Sequence, residues 1–181
     1  MLVDTSKQVR RLLELATVPG INLRVLHLVR DGRGYVFSRG KRRVMETPAG
    51  VVETRPVPTA RASLQWVRTN LLAWAVCARL FRGRTLTVSY DAFCADPQGT
   101  LKSILSFLDR DAGRAVVGDP GKERHDIAGN NSRFLEDFSS IAPDRAWKRE
   151  LPVWKRGVFG LIGGWLNPLL KRRAARQQGT V

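Results

Sequence analysis

Residues 24–38 read Arg24-Val25-Leu26-His27-Leu28-Val29-Arg30-Asp31-Gly32-Arg33-Gly34-Tyr35-Val36-Phe37-Ser38. The run from Arg24 to Val29 is short and nearly continuously apolar, the pattern of a strand buried on both faces of a parallel sheet. Arg30-Asp31 stands at its carboxyl end, and Asp31 is placed to cap a helix running through Ser38. Such a unit delivers Arg30 to the carboxyl edge of the sheet, where open α/β sheets bind ligands. The arginine fork matches phosphate oxygens and stays charged at any working pH. The helix that follows points its first N–H groups toward the same edge. Ser38, two turns along, adds a hydroxyl, and Gly32 and Gly34 allow close approach to the backbone. The same residues also fit a plainer arrangement, with Arg30 paired to a neighbouring acid and Ser38 solvated. The residues alone do not choose between the two.

Working outward, Val9, Leu12, Leu13 and Leu15 recur at helical spacing, with Thr5 or Ser6 as the cap and Pro19-Gly20 as the stop. Leu2-Val3 reads as the end of a strand. Residues 44–58, with Pro48, Gly50, Pro56 and Pro58, read as a loop or flap. Thr59 to Arg82 is the longest helical pattern, with Leu64, Val67, Leu71, Trp74, Ala75, Ala78 and Leu80 as its apolar face and Gly83 as its C-cap. Thr85 to Tyr90 is rich in β-formers, and Pro97 opens a helix carrying Leu101, Ile104, Leu105 and Leu108. Residues 111–133 are polar and glycine-rich; short helices are expected from Asp144 to Leu151 and from Val153 to Leu170. The alternation of strands and helices predicts an α/β layered fold with a parallel sheet.

The chain has 181 residues and a net charge of +15. A balance this basic suits phosphates, nucleic acids, acidic glycans or anionic membranes. Between residues 143 and 181 nine Lys or Arg stand against two acids, a local excess of seven. Cys77 and Cys94 have no metal-like spacing and read as reduced, partly buried thiols. No stretch of about 18 or more apolar residues is present to span a bilayer. Met1-Leu2-Val3-Asp4 lacks the parts of a signal peptide, which makes the cytoplasm the expected location. The helix with Trp154, Val158, Phe159, Leu161, Ile162, Trp165, Leu166, Leu169 and Leu170 either lies on an anionic membrane surface or packs on the sheet, with Lys171 to Arg176 as a solvated tail; packing is the commoner fate of such a helix.

The segment Leu28 to Ser38 resembles the 3'-phosphate-binding motif of sulfotransferases, an apolar strand followed by R-D-x-R-x-x-x-x-S. Thr85 to Leu108 is similar to that family's strand, Y-E/D-x-P and helix segment. Val3-Asp4-Thr5-Ser6-Lys7 resembles the D-S-S-K segment of bacterial and carbohydrate-type members. His125 to Arg133 resembles a late H-x-x-x-G-N-x-x-R, and Trp147 with its neighbours the D-x-x-W-x-x-x-L that follows. The likeness runs through nearly the whole chain in the family's order.

The resemblance implies a P-loop-like parallel sheet flanked by helices, and transfer of a sulfuryl group from 3'-phosphoadenosine 5'-phosphosulfate to a hydroxyl or amine of a small molecule or carbohydrate. It implies that Arg30 and Ser38 hold the 3'-phosphate, that Tyr90 lies near the adenosine, and that Arg133 closes over the phosphates. Lys7 and Asp4 either face the cleft or serve as surface charge and cap. The family grips the 5'-phosphosulfate with a glycine- and serine/threonine-rich loop after the first strand. No such loop precedes Leu2. The expectation is therefore a partial domain over residues 1–170 and a basic tail over 171–181, with the first strand and that loop missing and transfer activity lost. No catalytic base is assigned. His27 reads as a core residue of its strand, and His125 as a residue ordering its loop. Two other readings stay open, a basic nucleic-acid-binding protein and a relative of the P-loop kinases. Against the first, no recognition motif occurs and the aromatics fall at helix-core spacing.

Overall fold

The computed structural model describes residues 3–4, 8–47, 50–111, 113 and 143–178. The chain runs through α1 (Val9–Ala16), β1 (Val25–Val29), α2 (Gly32–Arg39), β2 (Arg43–Thr47), β3 (Gly50–Thr54) and α3 (Thr59–Leu80). It continues through β4 (Thr85–Ser89), α4 (Tyr90–Ala95), α5 (Pro97–Phe107), α6 (Ala146–Glu150), α7 (Val153–Gly163) and α8 (Leu166–Gln178). Helices and strands mix as the alternating pattern predicts, around a small parallel sheet. β1 and β4 pair in parallel from Val25 opposite Thr85 to Val29 opposite Ser89. The segment expected as a flap is an antiparallel hairpin, β2 on β3, separate from that sheet. Val3 and Asp4 are exposed and not in a strand.

β1 departs from the expectation of burial on both faces. Val29 is buried, but Leu26 and Leu28 are exposed. Directly paired residues point to the same side of a sheet, so these leucines share a face with Leu86 and Val88. That face is covered over β4, by α4 and α5, and open over β1. On the other face Thr87 is fully buried under α8. The outer edge of β4 is closed by side chains of α8. Thr87 N–H donates to Gln177 Oε1 at 2.7 Å, Gln177 Nε2 donates to Thr85 O at 3.5 Å, and Arg173 Nε donates to Thr87 Oγ1 at 3.3 Å. The two Gln177 bonds satisfy backbone groups that a further strand would otherwise meet.

α3 buries only part of the expected apolar face: Val67 and Leu71 pack against the core. Ala62, Ser63, Trp66 and Cys77 face inward, whereas Leu64, Trp74 and Leu80 are exposed. Small residues at 62 and 63 admit a close neighbour, and Trp66 then supplies the bulk. The core joins Val29, Val36, Ala62, Trp66, Phe159, Leu166 and Leu170. Trp66 and Phe159 meet edge to face at 5.4 Å, a favoured aromatic geometry.

The helix expected from Val153 to Leu170 is two helices. Proline fits only the first turn of a helix, because farther in its ring meets the carbonyl four residues back. Pro168 therefore sits in the first turn of a new helix, and the chain turns at Gly164-Trp165. The described part of the segment expected as a tail is helical. α8 continues to Gln178, and the position assigned as a domain limit, residue 170, falls within it. Leu166, Leu170 and Ala174 are buried at four-residue intervals, an apolar stripe that holds the helix to the core. Among the described residues no helix is long and apolar enough to cross a membrane.

Candidate functional site

The parallel register puts Arg30, just past β1, beside Tyr90, just past β4. The Arg30 guanidinium carbon lies 5.1 Å from the centre of the Tyr90 ring, within cation–π range. Arg30 Nη2 donates to Asp144 Oδ2 at 2.9 Å. The pairing of Arg30 with an acid, one of two arrangements open in the sequence, is thus present, and the acid comes from just before α6. Slight burial raises the Asp144 carboxyl, but the Ala146 N–H and the Arg30 guanidinium outweigh this and hold it below its ordinary value. Burial pushes the Tyr90 phenol up and the neighbouring Cys94 adds to this, against opposing contributions from the Asp144 backbone and Arg30.

Asp31 caps α2 as its position predicts, with Arg33 N–H donating to Oδ1 at 2.9 Å. It does more than cap. The Arg33 side chain forks onto the same carboxylate at 3.0 and 2.8 Å, Asn167 Nδ2 donates at 3.0 Å, and Lys171 Nζ at 3.1 Å. Lys171 also reaches Asp91 at 2.9 Å. Burial alone would raise the Asp31 carboxyl; the hydrogen bonds from Arg33 and Asn167 and the Lys171 charge reverse this and hold it far below the usual carboxylate range. α8 is in this way tied to the turn after β1.

Two expectations for this turn change. The first N–H groups of α2 do not face outward, since Gly32 N–H donates to Asn167 Oδ1 at 3.1 Å and Arg33 N–H to Asp31. The two glycines make room for the protein's own side chains. A Cβ at Gly32 would strike the Phe159 ring and stand 2.9 Å from Trp66, and one at Gly34 would stand 3.3 Å from both Arg30 Nε and Trp147 Cδ1. Arg33 lies over Trp147, 4.3 Å from the ring centre.

Ser38 is half-buried in α2, one turn after Gly34 and on the same helix face, which puts it on the side where Arg30 lies. His27 is three residues before Arg30, about 10 Å along the strand. Burial lowers its pKa, opposed by a hydrogen bond with Asn70 and aided by Arg173. It is half-buried between the sheet and α3. Asp4 is exposed and accepts from Arg11 Nε at 3.3 Å. Lys7, His125 and Arg133 lie outside the described residues.

The partners of Asp31 on α8 were not found from sequence. The signal is there in retrospect: Asn167 and Lys171 stand four apart on one helix face. Nothing in the pattern said that this face meets residues more than a hundred positions upstream.

No curated protein and no solved structure matches the chain. A family model described as the sulfotransferase family matches residues 5–112. That span holds both strands of the parallel sheet, Arg30, Ser38 and Tyr90, and ends before Asp144 and α8. Because the matched segment covers more than half of the sequence and contains the strand–turn–helix unit on which the site is built, the chain belongs to the sulfotransferase family.

Proposed function

We propose that the carboxyl edge of β1 and β4 binds the 3'-phosphoadenosine part of 3'-phosphoadenosine 5'-phosphosulfate, for transfer of the sulfuryl group to a hydroxyl or amine acceptor. The observation that carries this reading is the Arg30 guanidinium at the strand end, 5.1 Å from the Tyr90 ring and within the family match. Arg30 would take the 3'-phosphate through its fork, Ser38 would add a hydroxyl from the same side, and Tyr90 would offer an aromatic surface to the adenosine. Arg133, on the same reading, would close over the phosphates. The donor's sulfuryl group leaves by in-line displacement, for which a protein supplies positioning and charge neutralisation.

The test is calorimetric titration of the chain with adenosine 3',5'-bisphosphate. Arg30→Ala should weaken binding by roughly 1.5–3 kcal/mol, and Ser38→Ala by only ~1 kcal/mol, since a charged fork is worth more than a neutral hydroxyl. Equal and negligible losses would mean that the motif is purely structural here.

The ion pair with Asp144 adds a second expectation. A phosphate arriving at Arg30 must displace the Asp144 carboxylate or share the guanidinium with it, against like-charge repulsion. Both side chains are partly exposed, so the pair itself is worth ~1 kcal/mol or less. Asp144→Asn should therefore raise affinity for the bisphosphate, by up to roughly fivefold. A fall in affinity would place Asp144 among the groups that support the ligand.

A further inference from the structure

α7 carries two unlike faces. Phe159 and Gly163 are buried against α3. The opposite face holds Trp154, Gly157, Leu161 and, after the turn, Trp165, residues that follow one another at helical spacing. Trp154 is 64 % exposed, Leu161 87 % and Trp165 51 %, with Val153 at 80 % beside them. Two tryptophans and a leucine standing open in one stripe are not the solvated polar face of an ordinary surface helix.

The charge around the stripe says what could cover it. From Leu151 to Val181 there is no Asp or Glu, and six Lys or Arg are present, of which Lys171 is already paired with Asp31 and Asp91. Lys155 Nζ lies 5.4 Å from the Trp154 ring. After the turn, α8 also exposes Leu169, Arg172 and Arg176. An apolar stripe with tryptophans and cations, in a segment without acids, matches the boundary between acyl chains and anionic headgroups. α7 is 11 residues long, about 16 Å, so it would lie in the interface plane. A second copy of the chain fits less well, because a symmetric contact would set this basic segment against itself.

We propose that the outer face of α7, with the exposed residues of α8, is a docking surface for an anionic membrane. This reading is independent of the nucleotide site. Docking would be reversible, since one short helix with a few cations gives modest affinity.

The test is cosedimentation of the full chain with vesicles of phosphatidylcholine alone and of phosphatidylcholine mixed with phosphatidylserine. The chain should bind the mixed vesicles, bind the neutral ones far less, and be released by salt. Tryptophan emission should move to the blue on binding. The double variant Trp154→Ser/Leu161→Ser should bind at least tenfold more weakly. Its far-ultraviolet spectrum and thermal midpoint should be unchanged, because both side chains are exposed. Arg172→Glu, which leaves the apolar stripe intact, should also weaken binding to the mixed vesicles. Leu80→Ser, about 20 Å along the α3 axis from the α7 contact at Val67, should bind normally. Equal binding by the wild type and the double variant would overturn the proposal, as would no preference for the anionic lipid. So would a wild-type dimer without vesicle binding that the double variant converts to monomer, which would assign the face to a second copy.

Discussion

Phe159→Ala is expected to cost about 3–5 kcal/mol of stability, the usual range for deleting a buried aromatic ring. The Phe159 side chain is 1 % exposed and makes the edge-to-face contact with Trp66. It also fills the space where a Cβ at Gly32 would stand. The cavity left by its removal would therefore open directly beneath the turn that carries Arg30 and Asp31. Small glycines line that space, and neither Gly32 nor Gly163 has a side chain to move into it. Collapse around the void should be poor, which favours the upper part of the range. A urea titration followed by far-ultraviolet circular dichroism measures the loss. Total stability for a domain is about 5–15 kcal/mol, so the variant should lie near the limit of folding at room temperature. A loss below ~1 kcal/mol would show that α7 does not pack on this turn in solution.

Asp31→Ala should cost about 3 kcal/mol. Removing one partner from a buried ionic cluster commonly costs 3–5 kcal/mol. The lower end applies because Arg33 and Lys171 keep access to water and Lys171 keeps Asp91. Within that figure lie the lost N-cap of α2, worth ~1 kcal/mol, and the Asn167 amide left without its acceptor, ~1–3 kcal/mol. The effect must depend on pH. The folded-state pKa of Asp31 lies far below that of an unfolded aspartate. Its contribution is therefore complete above the unfolded value of about 4 and is lost as the pH falls through and beneath it. The stability difference between wild type and Asp31→Asn should hold from pH 6 down to about pH 5 and then shrink toward about pH 2. A difference that stays constant over this interval would mean that the carboxylate charge contributes nothing.

Local pattern determined much of this protein. The run from Val25 to Val29 makes a strand because it is mostly apolar with a β-branched valine at each end, and Asp31 starts a helix because its carboxylate reaches the Arg33 N–H two residues on. Pro97 opens α5 with Asp96 as the cap, and Thr85 to Ser89 form β4. All these outcomes depend on neighbours within a turn or a short strand. The order of motifs was likewise enough to identify the family, because that is a property of the sequence itself.

Long-range contact decided the rest. Lys171 has the same side chain in a solvated tail as between Asp31 and Asp91; only the docking of Leu166, Leu170 and Ala174 on the core brings it to that place. The N–H groups of Gly32 and Arg33 read as open to an anion until Asn167 and Asp31 are seen to take them. The partner of Arg30 is 114 residues away in sequence, beyond anything periodicity reports. α3 turns Trp66 rather than Leu64 inward because Phe159, far along the chain, meets it there. Secondary structure here follows from interactions between near neighbours, which the sequence displays. The charge state and occupancy of the site follow from which distant helix packs against the turn, and that is settled only when the tertiary structure forms.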